Sequence, residues 1–269
     1  FEVLQSFCLA TTTLLLHYLT TSLYTPYMDT RDQQAGDIEK HFYFEGKRHL
    51  IEKLLEKAEL PENAKILDVG CGTGSDLEVI SKFGEVTVLD INQEALNQIP
   101  DKYNKICADL TETNLPDAEY DCIVAFDILE HIENQEHAAR QLFHTLKPNG
   151  KFVGTVPAYQ LLFSSHDKSL DHFRRYSRSN FVWTLENAGF HKLTSGYWMS
   201  LLFPFAAVSR LLNRKKEAKT SLKPLPEFLN NLVSKILKFE ARIGTSKFFR
   251  FPYGLTTWLI ATKRSNETT

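Results

Sequence analysis

The run Ile66-Leu67-Asp68-Val69-Gly70-Cys71-Gly72-Thr73-Gly74 constrains the fold more than any other stretch of the chain. A short apolar run over residues 65–69 predicts a strand, and residues 75–82 carry a helical pattern. Three alternate glycines lie between them. Glycine lets a chain turn tightly and approach a ligand with no Cβ in the way. The spacing is G-x-G-x-G, unlike the G-x-G-x-x-G that seats a dinucleotide pyrophosphate. No lysine follows to serve phosphates. The loop therefore suits a nucleoside-like ligand without a phosphate chain. The next predicted strand, residues 85–90, ends in Asp90, where an acid can accept from two ribose hydroxyls. Ala108-Asp109-Leu110 ends the strand after it, where a carboxylate can accept from an adenine amine. A plain glycine turn with surface acids is the competing reading. Asp90 and Asp109 in register on successive strands argue against it.

Strands and helices alternate from there on. Strands are predicted over 105–108, 121–126, 151–156, 190–198 and 255–262, and helices over 37–57, 93–99, 135–146 and 180–188. Such alternation implies a parallel sheet covered on both faces, with right-handed crossovers. The predicted fold is α/β: a Rossmann-like, doubly wound, seven-stranded sheet with an antiparallel last strand and a helical insertion before it.

Net charge is −2, which excludes a chain that binds nucleic acid by overall charge. That sum hides a partition. From Arg210 to Arg250 there are 11 Lys/Arg and 3 Asp/Glu, a local +8, and the rest carries −10. Cys8, Cys71, Cys107 and Cys122 form no C-x-x-C pair and lie at no zinc-ligand spacing, which points to a reducing, cytoplasmic setting. The first methionine is Met28, and residues 7–23 are apolar but broken by five Thr, a His and a Ser. Residues 1–27 are read as a non-native leader or read-through, against the alternative of a genuine membrane leader.

These motifs resemble those of the class I S-adenosylmethionine-dependent methyltransferases, over residues 37–262. ILDVGCGTG is similar to that family's first motif, Asp90 to its ribose-binding acid, and Ala108-Asp109-Leu110 to its adenine-side motif. Asp127-Ile128-Leu129-Glu130-His131 resembles the segment past its fourth strand, and Leu146-Lys147-Pro148-Asn149-Gly150 the stretch before its fifth. The nearest branch is the small-molecule type 11/12 group, which includes ubiquinone-biosynthesis O-methyltransferases. The resemblance implies S-adenosyl-L-methionine as cofactor. It places Asp68, Gly70, Cys71, Gly72, Gly74, Asp90, Ile91, Asp109, Leu110 and Phe126 around that cofactor. Arg48, on the preceding helix, would pair with its carboxylate. The methyltransferase domain then covers residues 28–198 and 254–264, with the insertion at 199–253.

Methyl transfer from a sulfonium needs alignment and, for a hydroxyl acceptor, a base. It requires no metal, and none is predicted. His131, just past the fourth strand, is a candidate base or a helix-start residue shaping the pocket. After the fifth strand, Tyr159 and the run from His166 to Tyr176 concentrate ionisable groups. His166 and His172 are candidate bases, and Tyr159, Arg174, Arg175 and Tyr176 candidate acceptor contacts, the arginines suiting an anion. The alternative is an ordered lid held by its own Asp–Arg pairs. The insertion joins an apolar run over 198–212 to an amphipathic basic helix from 228. It lies on an anionic membrane surface, or packs on the body as a cap. The predicted function is methyl transfer to a small-molecule or lipid-linked acceptor at oxygen, on the cytoplasmic face of a membrane. The competing function is a cofactor-binding, membrane-docking protein without turnover.

Overall fold

The computed structural model describes residues 40–212 and 225–264. The predicted leader at 1–27 and the start at Met28 lie outside the described residues. Among the described residues the first helix, α1 (Phe42–Ala58), begins where the His41 side chain accepts from Tyr43 N and stops at Glu59, a left-handed residue (φ 54°). There follow β1 (Ala64–Val69), α2 (Leu77–Ile80), β2 (Gly84–Asp90), α3 (Gln93–Leu96), β3 (Asn104–Cys107), β4 (Tyr120–Phe126) and a 3-10 turn (Leu129–His131). Then come α4 (Gln135–Thr145), β5 (Leu146–Pro157), α5 (Ser165–Ser169), α6 (Arg178–Asn187), β6 (Phe190–Trp198), α7 (Phe203–Leu212), α8 (Glu227–Gly244) and β7 (Thr256–Lys263).

The seven strands form one sheet in the order β3-β2-β1-β4-β5-β7-β6. β1 to β5 are parallel, and β7 runs antiparallel between β5 and β6, as the predicted fold required. β1 is buried at every residue but Lys65, because helices cover both faces of the sheet. One core layer joins α1, α2 and α8 to the sheet, and the other joins α4 and α6. β1 pairs with β2 on one side and with β4 on the other. That is the point where strand order reverses, and the crevice there is where open α/β sheets hold ligands.

The sequence missed α5, which mixed composition hides. Ser164 and Asp167 form a capping box around it, the Ser-x-x-Asp spacing being its one local signature. β5 also starts earlier than predicted: the Lys147–Gly150 turn is absorbed as an irregularity, with a register shift between Tyr120 and Cys122.

The segment between β6 and β7 is sewn to the body. α8 buries Leu229, Val233, Leu237 and Ala241 against α1. Asn230 Oδ1 accepts from Phe42 N at 2.9 Å, and Trp198 Nε1 donates to Leu237 O at 3.1 Å. The buried Glu240 carboxylate accepts from Ser200 N and Leu201 N at 2.8 and 2.6 Å, satisfying backbone donors ahead of α7. α7 leaves Phe205, Val208, Leu211 and Leu212 exposed, and α8 leaves Phe228, Leu232 and Phe239. The outer faces of these two helices are therefore apolar, with Lys235 and Arg242 on α8.

Candidate active site

The glycine loop leaves β1 and is tied to the end of β2. Gly70 N and Cys71 N both donate to Leu89 O, at 2.7 and 3.3 Å. Gly70 has φ +70°, and a Cβ there would meet Ile128 Cγ1 at 2.4 Å, so only glycine fits. Asp90, the predicted ribose acid, braces the loop's own backbone. Its Oδ2 accepts from Gly72 N and its Oδ1 from Asn92 N, both at 2.8 Å. A carboxylate has about four lone-pair sites, so two hydroxyls can still be accepted. Asp109 is held similarly, with Thr111 N and Thr111 Oγ1 each donating to Oδ1 at 2.7 Å. Between these acids Ile91 lies 68% exposed, an apolar surface beside two polar anchors. Leu110 and Phe126 are buried.

Asp68 is buried behind the loop. Burial, reinforced by Asp76 and Asp90, pushes its carboxyl up to about 8, with Lys47 pulling the other way. Burial, with Asp68 and Asp90, pushes the Cys71 thiol up as well, so it is a neutral contact surface. Lys47 is the functional candidate that sequence reasoning missed. Its Nζ lies 3.3 Å from Asp76 Oδ2 and 3.4 Å from Asp127 Oδ2. Burial opposes its charge, but the two carboxylates outweigh it and hold the ammonium protonated. The predicted cation, Arg48, lies one helical step away, in the electrostatic neighbourhood of Glu45 with Lys238 of α8. The structure thus brings Lys47, and not Arg48, to the Asp76–Asp127 pair.

Asp127 caps the end of β4 in a left-handed conformation (φ 56°). Its N donates to Thr155 O, and Thr155 Oγ1 donates back to Oδ1, both at 3.0 Å, which locks the ends of β4 and β5 together. Glu130 follows in the 3-10 turn. It is fully buried, and among the described residues neither carboxyl oxygen has a hydrogen-bond partner. Burial, with the charge of Asp127, pushes its carboxyl well above the usual range.

The lid folds over this turn, and Phe173 N donates to Glu130 O at 2.9 Å. His172 stacks edge-on against His131 with ring centroids 4.5 Å apart. His172 Nδ1 lies 3.2 Å from Asp167 Oδ1. Asp167 is also held by Ser164 N and Oγ at 2.9 and 3.1 Å and by Arg175 Nε at 2.6 Å, with Arg210 Nη1 at 3.7 Å. Burial opposes its charge, but His172, Arg175 and Arg210 keep the carboxylate ionised far below its ordinary range. Arg210 comes from α7, 43 residues beyond Asp167 in sequence, and nothing local signals the pairing.

Of the two readings of the lid, the structure has the one held by its own ion pairs. Arg175 is buried on Asp167, and Arg174 donates to the carbonyls of Ile132 and Glu133 at 2.6 and 2.7 Å. Neither guanidinium is set out as an anion clamp. Tyr176 is buried, its hydroxyl within reach of Leu129 O and Gln135 Oε1. Tyr159 sits at φ 63°, stacked on Tyr197 at 5.6 Å and edge-on to Phe203 of α7 at 5.3 Å. His166 is wholly buried within the lid.

The glycine loop, Asp90, Asp109 and the His131–His172 pair lie at or just past the C-terminal ends of β1 to β5 in a seven-stranded sheet. Comparison with known proteins gives the domain its class. Residues 40–195 match the family described as "Methyltransferase domain", and the chain belongs to it. It carries the domain of an S-adenosylmethionine-dependent methyltransferase, as its motifs implied.

One relative is named "Probable S-adenosylmethionine-dependent methyltransferase", from Mycolicibacterium smegmatis. It is 25% identical over 161 residues, 58% of this chain and 62% of that one. Another, the 27-O-demethylrifamycin SV methyltransferase of Amycolatopsis mediterranei, is 26% identical over 149 residues, 48% of this chain and 55% of that one. The chain thus spans about three-fifths or less of the length of these two relatives. The crystal structure of a SAM-dependent methyltransferase from Archaeoglobus fulgidus has the same fold. Its TM-score is 0.52 at 20% identity, covering 80% of this chain and 94% of that one. None of these supports the alternative of a docking protein without turnover. Among the described residues, no helix is long and apolar enough to cross a membrane.

Proposed function

We infer that the protein transfers a methyl group to a hydroxyl of a small, largely apolar acceptor. The observation that carries this reading is the Asp167–His172–His131 arrangement past the ends of β4 and β5. When bound, S-adenosylmethionine would supply a methyl group activated by its sulfonium, with a neutral thioether as leaving group. Gly70, Gly72 and Asp90 hold the cofactor's ribose side, Asp109 and Ile91 its adenine, and Asp68 and Lys47 its charged amino-acid end. Ionised Asp167 accepts from His172 Nδ1, which fixes the tautomer and leaves Nε2 as the base. As the acceptor oxygen bonds to the methyl carbon, its proton passes to that imidazole, and Asp167 stabilises the imidazolium formed. The rifamycin enzyme's named O-methylation supports oxygen as the acceptor atom.

The walls support an apolar acceptor. Tyr159, Tyr197, Phe203 and Tyr253 form a connected aromatic group beside the lid, and Phe203 continues into the apolar outer face of α7. Apolar faces on α7 and α8, within a segment of charge +8, suit an anionic membrane surface on the cytoplasmic side and a lipid-linked acceptor drawn from it. Methyl-labelled S-adenosylmethionine incubated with a membrane lipid extract should yield a labelled methyl ether, lost in His172→Ala with S-adenosylhomocysteine binding intact. Label on nitrogen or carbon, or label undiminished in His172→Ala, overturns the reading. Sedimentation with anionic vesicles that weakens at high salt supports the membrane part, and equal recovery from neutral vesicles sinks it.

A further inference from the structure

Glu130 is the anomaly of this site. A fully buried carboxyl group whose two oxygens find no partner among the described residues is costly to keep. It does not stand alone. One ligand-type atom from each of Glu130, His131 and His172 lies within 4.8 Å of the other two. Donors about 2.0–2.2 Å from a common ion are separated by at most about 4 Å, so small side-chain adjustments close the set. The supporting residue is also present. His172 turns Nδ1 to the Asp167 carboxylate at 3.2 Å, which leaves Nε2 as the ring nitrogen not engaged by Asp167. A carboxylate behind a histidine is the usual means of orienting an imidazole toward a metal and strengthening it as a donor.

We propose that Glu130, His131 and His172 form a binding site for a divalent transition-metal ion. Two imidazoles and one carboxylate suit zinc, iron(II) or cobalt better than magnesium or calcium, which prefer all-oxygen sets. Three protein ligands leave positions open on the ion. The position is suggestive of use: the 3-10 turn follows Ile128, whose side chain lies against Gly70 of the cofactor loop. In its catalytic consequence the site rests on the acceptor reading above. With the ion bound, the acceptor oxygen sits on the metal and the imidazoles serve as ligands. The hydroxyl then ionises more readily and its proton passes to solvent. The O–CH3 bond forms and the S–CH3 bond breaks as before.

The test uses the full chain, stripped by chelator and titrated with Co2+ as a visible probe. The expected result is d–d absorption saturating near stoichiometric metal, absent in His131→Ala, whose side chain is half-buried and whose loss the fold should tolerate. Asp167→Asn should weaken uptake by about 10–100-fold. S-adenosylhomocysteine calorimetry on the same samples checks that each variant is folded. No absorption in the wild type, or equal uptake by His131→Ala and Glu130→Gln, overturns the site. A thiolate charge-transfer band that disappears in Cys71→Ser overturns it as well. Methyl transfer that persists with no Co2+ uptake sinks the metal site and leaves the base reading. Uptake without transfer to any hydroxyl sinks the acceptor reading and leaves the metal site.

Discussion

Asp167→Asn is the substitution from which the structure predicts most. The side chain is nearly isosteric, so packing is conserved and charge is what changes. Asp167 is fully buried, and its carboxylate is shared by two buried guanidiniums, Arg175 from the lid and Arg210 from α7. An amide offers one acceptor oxygen where the carboxylate offered two, and five donor groups converge here: Ser164 N, Ser164 Oγ, His172 Nδ1, Arg175 Nε and Arg210 Nη1. Removing one partner of a buried ion pair costs about 3–5 kcal/mol, because the remaining charge stays buried. With a urea slope of about 2 kcal/mol/M, the unfolding midpoint should fall by roughly 2 M. Urea titration followed by tryptophan fluorescence measures this. The double variant Asp167→Asn/Arg210→Met should recover part of the loss, since it removes a charge the amide cannot balance. A midpoint within about 0.3 M of wild type would refute the claim that this carboxylate neutralises the lid. So would a double variant less stable than Asp167→Asn by the full cost of Arg210→Met alone.

Other outcomes follow from the cofactor side. Gly70→Ala combines a left-handed backbone, about 1–2 kcal/mol, with overpacking against Ile128, about 1–3 kcal/mol. Calorimetry should show S-adenosylhomocysteine affinity reduced at least tenfold, with partial recovery in Gly70→Ala/Ile128→Ala. Lys47→Met should weaken the same binding clearly and Arg48→Met hardly at all, and the reverse order would return the role to Arg48. Asp68 makes stability depend on pH. Its carboxyl titrates near 8 when folded and near 4 when unfolded, so the folded chain keeps a proton that the unfolded chain has lost. Stability should therefore fall as pH rises from about 4 to about 8, by at most about 1.4 kcal/mol per unit, and level off above. Urea midpoints in Asp68→Asn should be flatter over that range.

What was legible in the sequence was local. Gly70, Gly72 and Gly74 announce their turn within five residues, and Asp90 and Asp109 stand at strand ends that the Val- and Ile-rich runs before them define. Lys47 was not legible. Neighbouring helix residues point about 100° apart, and only the position of α8 against α1 says which face meets Asp76 and Asp127. The partners of Arg174 and Arg175 are not legible for a related reason. Arginines after a strand end look available in sequence, but here Asp167 and two backbone carbonyls take them up. Glu130 was visible as a residue. That it is buried without a partner is a property of the packed turn, and no pattern of neighbours records it.

The position of β7 bears on how the molecule is made. The strand that joins β5 to β6 is the last of the seven in chain order, and it lies between them, not at a sheet edge. On the ribosome, β1 to β5 can pair as they emerge, while β6 has no neighbour until residues 256–263 leave the exit tunnel. Until then the nascent domain exposes the open edge of β5, a template for pairing with another chain. Premature termination before Thr256 should therefore yield an aggregating product, where loss of an edge strand such as β3 would leave a merely weakened one.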